Sequence, residues 1–137
     1  MMPREIRRLS EAEVLARWAE LYAAGKHAGL DKPPVSAYVG RDPVWVEVAI
    51  PHDLYNADWN SADADLSPTQ MTRAQKYAQR PSALPPGMAS FRGRRNAGKA
   101  WVSDGNHRAY AAFLRGEPTA RFYMPLGDWQ RFIAAVQ

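Results

Sequence analysis

Apolar residues near the N-terminus recur every three or four positions, which is the period of an amphipathic helix. The residues on this face are Val14, Trp18, Leu21 and Tyr22. Ser10 and Glu13 precede them as an S-x-x-E capping box, in which two side chains satisfy amide groups of the first turn. The pattern therefore predicts a helix over residues 10–24, ended by Gly25.

Three further helices are predicted later in the chain, and two of them are recognised by their capping residues and periodicity. Ser67 is a favourable N-cap, Pro68 a favourable first helical residue, and Gln70 completes an S-x-x-Q capping box. The apolar face of this helix is formed by Met71, Ala74, Tyr77 and Ala78. A last helix is predicted over residues 128–136, with Asp128 as its N-cap. Its buried residues are predicted to be Trp129, Phe132, Ile133 and Val136.

Runs of β-branched and aromatic residues predict the strands. Residues 44–50, VWVEVAI, form the clearest run. Residues 88–92 and 99–103 predict a hairpin, because the sequence Asn-Ala-Gly between them is typical of a turn. Residues 119–124 predict another strand, with Ala120, Phe122 and Met124 on one face.

The predicted element order is α-β-α-β-β-α-β-α, with a loop over residues 27–42 and no clear pattern over residues 52–65. Helices packed against a small mixed β-sheet follow naturally from such an order. A length of 137 residues and an apolar content of 46% fit a single core. We therefore predict one α+β domain over residues 1–137, with a small mixed β-sheet and flanking helices.

Composition excludes several functional classes. The chain has no cysteine, which excludes disulfides, thiolate metal sites and a catalytic thiol. Its three histidines lack metal-ligand spacing, so no metal site is predicted from them. No apolar run approaches the roughly 20 residues of a membrane span, and no secretory signal is visible. We therefore expect a cytoplasmic protein without a membrane partner, whereas the oligomeric state is not predicted.

The net charge of +4 permits a nucleic-acid partner without requiring one. The basic residues form an N-terminal cluster of Arg4, Arg7 and Arg8 and a hairpin cluster of Arg92, Arg94, Arg95 and Lys99. Two interpretations stay open. The clusters are solvated surface charges, or the hairpin cluster binds the phosphate backbone of DNA with little sequence selectivity.

The segment Trp101 to Gly116, WVSDGNHRAYAAFLRG, predicts a strand, an Asp-Gly turn and a helix. The first amides of a helix lack intrahelical partners and carry the positive end of its dipole, so they attract anions. Gly105 is expected to let a ligand approach the backbone, Arg108 to bind phosphate, and His107 to transfer a proton. Alternatively, Arg108 is a surface charge and His107 a packing residue. The residues predicted to face the core are Tyr110, Phe113 and Leu114.

This strand, the D-G-N-H-R motif and the helix after it resemble the ParB/sulfiredoxin superfamily, also called the ParB-like nuclease domain. The superfamily signature G-x-x-R corresponds to residues 105–108. The alanines that follow it are Ala109, Ala111 and Ala112. The S-P-T-Q sequence at 67–70 resembles the start of the preceding helix in many members. The resemblance covers approximately residues 44–124, and helices 10–24 and 128–136 are additions to that core.

The resemblance implies a compact stand-alone domain that binds phosphate or a nucleotide. The ligand-binding residues would be Gly105, Asn106, His107, Arg108 and Gln70. If the protein is an enzyme, the resemblance implies a nucleotide or phosphodiester hydrolase, with Asp104 and His107 as catalytic residues and Mg²⁺ accompanying a nucleoside triphosphate. Sulfiredoxins carry a reactive cysteine at the position of Asn106, so their sulfinic-acid repair is excluded here. No recognition helix of a chromosome-partitioning ParB protein is visible.

Three functional classes stay open: a nucleotide-binding or hydrolysing domain, a nucleic-acid-binding protein or nuclease, and a non-enzymatic interaction protein of a phage or plasmid. The Fic motif of AMP-transferring enzymes also shares D-G-N, but its catalytic histidine is missing before Asp104, which disfavours it. Asp104 is interpreted as an N-cap or as the acid beside the motif. Asp63, Asp65 and Glu47 are further acids that the fold could bring near a metal.

Overall fold

The computed structural model describes residues 1–23, 42–57, 59–60, 68–79, 85–91 and 98–137. Within these ranges lie a six-stranded mixed β-sheet and four α-helices. The prediction of a small mixed sheet with flanking helices is confirmed. No helix in this part of the chain is long and apolar enough to cross a membrane.

The sheet has the strand order β1-β2-β6-β4-β5-β3. Its strands are β1 (Arg4–Ser10), β2 (Val44–Pro51), β3 (Tyr55–Asn56), β4 (Gly87–Ser90), β5 (Ala100–Asp104) and β6 (Thr119–Pro125). The helices are α1 (Glu11–Ala23), α2 (Pro68–Ala78), α3 (Asn106–Leu114) and α4 (Leu126–Val136), and a short 3-10 helix spans His52–Leu54. The pairs β4–β6 and β3–β5 are parallel, whereas β1–β2, β2–β6 and β4–β5 are antiparallel.

All eight elements predicted from the sequence are present, with ends that differ by at most two residues where both ends were predicted. Strands β1 and β3 were not predicted. β1 carries three arginines and lies at an edge of the sheet, where charged side chains remain in solvent and discourage pairing with another chain. The predicted loop over 27–42 and the turn residues 96 and 97 lie almost entirely outside the described ranges.

Two hydrophobic clusters pack on opposite faces of the sheet, because successive residues of a strand point to opposite sides. The larger cluster joins Val46, Val48, Ile50, Phe122 and Met124 of the sheet to Ala109 and Ala112 of α3 and Trp129 and Phe132 of α4. The smaller cluster joins Trp45, Met88 and Tyr123 of the sheet to Val14 and Trp18 of α1. Helices on both faces therefore enclose the central strands.

The capping box predicted for α1 is confirmed. The amide of Ser10 donates to Oε1 of Glu13 at 3.1 Å, and the amide of Glu13 donates to Oγ of Ser10 at 3.2 Å. The hydroxyl of Ser10 also donates to Oε1 of Glu13 at 3.2 Å, and the two bonds that Ser10 donates to this carboxylate lower the pKa of Glu13 below its usual value. Local sequence is enough to define this helix start, because both partners lie within four residues.

The N-cap prediction for α4 is wrong. Pro125 is the N-cap, and Asp128 lies inside the first turn with an exposure of only 1%. Its carboxylate accepts a hydrogen bond from the amide of Phe91 at 2.9 Å and one from Arg131 at 2.8 Å. Asp128 therefore connects α4 to the end of β4, which is a tertiary role that the local pattern does not indicate.

Helix α3 buries a different face from the one predicted. Its buried residues are Arg108, Ala109, Ala111 and Ala112. Tyr110 is only partly buried, and Phe113 and Leu114 are 50% and 42% exposed. The alanine side chains let the helix approach the sheet closely, which the larger side chains would prevent. The alanine face, and not the largest apolar residues, therefore decides the orientation of this helix.

Candidate functional site

The predicted transition from strand to helix at the D-G-N-H-R motif is present. β5 ends at Asp104 and α3 begins at Asn106, so that Gly105 occupies the N-cap position. The φ angle of Gly105 is 87°, in the left-handed region that favours glycine. The prediction that Asp104 is the N-cap is therefore wrong. The left-handed backbone at the cap favours glycine, and the residue at that position is Gly105.

The position that a Cβ atom would take at Gly105 is filled by other parts of the protein. A Cβ atom at Gly105 would lie 2.7 Å from Cα of Gly87 and 3.1 Å from Nη2 of Arg108. A Cβ atom at Gly87 would lie 2.6 Å from the carbonyl oxygen of Asp104. The two glycines thus allow the start of β4 to touch the start of α3. Gly87 and the guanidinium of Arg108 therefore approach this side of Gly105 closely, and the approach of a ligand to its backbone stays a prediction.

Arg108 is a buried cation, with an exposure of 4%, which excludes the alternative of an ordinary surface charge. Its Cζ atom lies 5.7 Å from the ring centroid of Trp18 on α1, within the range of a cation–π interaction. Its Nη2 atom lies 3.5 Å from Oδ2 of Asp104. The side chain therefore turns back from α3 and joins the strand end, the helix start and α1.

A cavity of about 280 Å³ lies beside Arg108, between α3, β6 and the connection before β6. We call it the arginine cavity, because Arg4, Arg108 and Arg121 line it together. Glu117 is the acidic residue of its lining, and small alanine and proline side chains form much of the remaining wall. Three arginines and one glutamate line the cavity, and the carboxylates of Asp104 and Glu47 pair with Arg108 and Arg121.

Arg121 is held by a buried acid, Glu47 of β2, whose exposure is 2%. Nη1 of Arg121 lies 3.4 Å from Oε2 of Glu47, and Nη2 of Arg7 lies 3.0 Å from Oε1. The hydrogen bond to Glu47 also raises the pKa of Arg7. A buried carboxylate requires such partners because it has lost its hydration. Glu47, a candidate metal ligand in the sequence, is thus engaged with arginines.

The structure describes only some of the other predicted site residues. Asn106 and His107 are partly buried at the start of α3, and within the described ranges the cavity lining includes Arg108 but neither of them. Lys99 is partly buried immediately before β5. The structure does not describe Arg92, Arg94, Arg95, Asp63, Asp65 or the side chain of Gln70. The described residues contain no group of three or more His, Cys, Asp or Glu side chains that could hold a metal.

His52, for which the sequence predicts no role, fixes the connection that lines the cavity. Its Nε2 atom lies 2.7 Å from the carbonyl oxygen of Glu117, and its Nδ1 atom lies 2.6 Å from the hydroxyl of Tyr55. Because a carbonyl only accepts, Nε2 carries a proton and donates it to Glu117. No local pattern marks His52, since its partner Glu117 is distant in the sequence.

No family model, curated protein or solved structure gives a significant match to the chain. The resemblance to the ParB/sulfiredoxin superfamily therefore stays a prediction from the D-G-N-H-R motif. The geometry of the arginine cavity is the stronger basis for assigning a function.

Proposed function

We propose that the protein binds a small phosphate-bearing molecule, a nucleotide, with its phosphate in the arginine cavity. The observation that carries the proposal is the convergence of Arg4, Arg108 and Arg121, from β1, α3 and β6, on one recess. Guanidinium groups present several donors in a fixed plane, which matches the oxygens of a phosphate group. Three such groups from separate elements favour binding of a compact anion.

The size of the cavity favours a small ligand. Its volume of about 280 Å³ is close to the lower end of the roughly 300–1,000 Å³ found for small-molecule sites. The alanines Ala109 and Ala112 leave this space beside α3, and Thr119 adds a hydroxyl to the lining. A phosphate with one sugar or a similar group attached fits these dimensions better than a duplex does.

In this proposal Arg108 binds phosphate, as the sequence predicts. The phosphate lies in the arginine cavity instead of at the first amides of α3. We propose a ParB/sulfiredoxin-like domain in which the phosphate contacts the inner side of α3 through Arg108. Asp104 lies 3.5 Å from Arg108, and that carboxylate supports the arginine side chain. Hydrolysis that uses Asp104, His107 and Mg²⁺ is a further prediction from the family resemblance. Nucleic-acid binding by the hairpin cluster is likewise still a prediction.

Calorimetric titration with AMP, ATP, CTP and inorganic phosphate, each with and without Mg²⁺, tests the proposal. The Arg121→Ala variant should bind about tenfold more weakly or worse, because a charge-assisted hydrogen bond contributes roughly 1.5–3 kcal/mol. Arg108→Ala should have a similar effect, provided that circular dichroism shows a folded protein.

Arg8→Ala is the matched control for these two variants. Arg8 is an exposed residue of β1 that pairs with Glu5 at 2.6 Å and does not line the arginine cavity. This variant should bind with unchanged affinity. Equal affinities for the wild type and for folded Arg108→Ala and Arg121→Ala variants would contradict the proposal, as would the absence of binding to all four ligands.

A further inference from the structure

The indole ring of Trp18 packs directly against the guanidinium of Arg108, one of the three arginines of the arginine cavity. Trp18 is 1% exposed, and the Cζ atom of Arg108 lies 5.7 Å from its ring centroid. On another side, Tyr123 contacts the indole edge-on, with ring centroids 6.2 Å apart and an interplanar angle of 68°. The indole is thus fixed between the sheet and Arg108, although it belongs to a helix far from Arg108 in sequence.

Two further contacts define the position of the same guanidinium group. The backbone of Gly105 lies so close that a Cβ atom there would be 3.1 Å from Nη2 and 3.4 Å from Nε of Arg108. The carboxylate of Asp104 lies 3.5 Å from Nη2. The indole face, the glycine backbone and the carboxylate therefore restrict the arginine side chain from three directions.

We infer that Trp18 is a positioning residue that orders the guanidinium of Arg108 for binding phosphate. This inference rests on the proposed function of the arginine cavity. An unrestrained arginine side chain has many rotamers, and their loss on binding weakens affinity. When packing against the indole has already restricted the side chain, phosphate binding no longer has to order it. The ring quadrupole also stabilises the cation without neutralising it.

Two substitutions at residue 18 separate the aromatic face from simple bulk. Trp18→Phe keeps an aromatic face, whereas Trp18→Leu keeps an apolar side chain and removes the π system. Calorimetric titration with AMP should give an affinity about five- to tenfold weaker for Trp18→Leu and within about twofold of wild type for Trp18→Phe. In the Arg108→Ala background, Trp18→Leu should cause no further loss, since the group that it positions is missing.

Val14→Ala controls for loss of packing in the same cluster. Val14 is also on α1 and fully buried, so this variant lowers stability while leaving the indole in place. Its affinity for AMP should be unchanged. Equal weakening by Val14→Ala and Trp18→Leu would overturn the inference, and so would the same loss from Trp18→Leu with and without Arg108.

A measurement without ligand distinguishes this inference from the proposed function. The heteronuclear NOE of the Arg108 Nε–H group should indicate an ordered side chain in the wild type and in Trp18→Phe, and a mobile one in Trp18→Leu. An ordered Arg108 together with no AMP binding would refute the proposed function, and with it the role of Trp18 in binding. An equally ordered Arg108 in Trp18→Leu would refute the positioning role even if AMP binds.

Discussion

Glycine is required at residue 105 by both its backbone conformation and its surroundings. The φ angle of 87° is unfavourable for residues with a Cβ atom, and the nearest neighbour of such an atom would be the backbone of Gly87 at 2.7 Å. Gly116, which follows α3, has a similar φ of 75°, but a Cβ atom there would meet nothing within 4 Å among the described residues. An alanine at Gly116 therefore tests the backbone strain alone, whereas an alanine at Gly105 tests the strain and the steric overlap together.

Gly105→Ala should destabilise the protein much more than Gly116→Ala. The strained φ alone costs about 1–2 kcal/mol, so this is the loss expected at Gly116. Overlap with backbone atoms adds roughly another 1–3 kcal/mol at Gly105. Urea unfolding of both variants measures the difference. Equal losses of stability would show that the contact between Gly105 and Gly87 is not tight in solution.

Tyr55 makes stability sensitive to high pH. Burial raises the pKa of its phenol well above the ordinary value of 10.0, so the folded protein keeps the neutral form. The contribution of Tyr55 is fully present below pH 10.0 and is lost as the pH rises further, because the unfolded chain ionises first.

Tyr55→Phe should reduce this loss of stability at alkaline pH. One ionisation corresponds to a slope of about 1.4 kcal/mol per pH unit in the free energy of unfolding, and the variant should lack this contribution. Chemical unfolding between about pH 8 and pH 11.5 gives both slopes. The variant also loses the hydrogen bond to His52, which lowers its stability equally at each pH. Parallel pH profiles for the two proteins would contradict the assignment.

At the scale of elements, the sequence predicts the kind and position of most helices and strands but not all of their contacts. The capping box of Ser10 and Glu13 is local, and it was predicted correctly. The carboxylate of Asp128 is also suited to capping a helix. It instead accepts a hydrogen bond from the amide of Phe91, 37 residues away. Strand β1 was missed because its alternation is obscured by arginines, which an edge strand tolerates. Such long-range contacts leave no local pattern.

Asp128→Ala should therefore loosen the connection between α4 and β4. The change leaves the buried amide of Phe91 without its acceptor, which costs about 2–3 kcal/mol. Asp128→Asn keeps an acceptor oxygen and should lose less than half as much. Thermal unfolding compares the variants, and hydrogen exchange at Phe91 should accelerate only in Asp128→Ala. Unchanged protection of that amide in the alanine variant would show that Asp128 is dispensable for this connection.

At the scale of the whole molecule, the arginine cavity depends on contacts that no single segment contains. The D-G-N-H-R motif indicated Arg108, but it did not place Arg4 and Arg121 beside it. Their approach requires β1 to pair with β2 and β2 to pair with β6. The family resemblance indicated phosphate chemistry at the helix that lines the cavity, whereas the position of the cavity follows from sheet order. The sequence pattern does not predict this long-range strand pairing, and it therefore does not predict the cavity.

The most direct test of the proposed phosphate site is a ¹⁵N NMR titration of the wild-type protein with AMP. We expect saturable shift changes at the backbone amides of Ala109, Ala112 and Thr119 and at the side-chain Nε–H groups of Arg108 and Arg121. The amides of Gly98 and Lys99, which belong to the hairpin, should not shift. Shift changes confined to the hairpin, or none at the cavity residues up to millimolar AMP, would contradict a phosphate site in the arginine cavity.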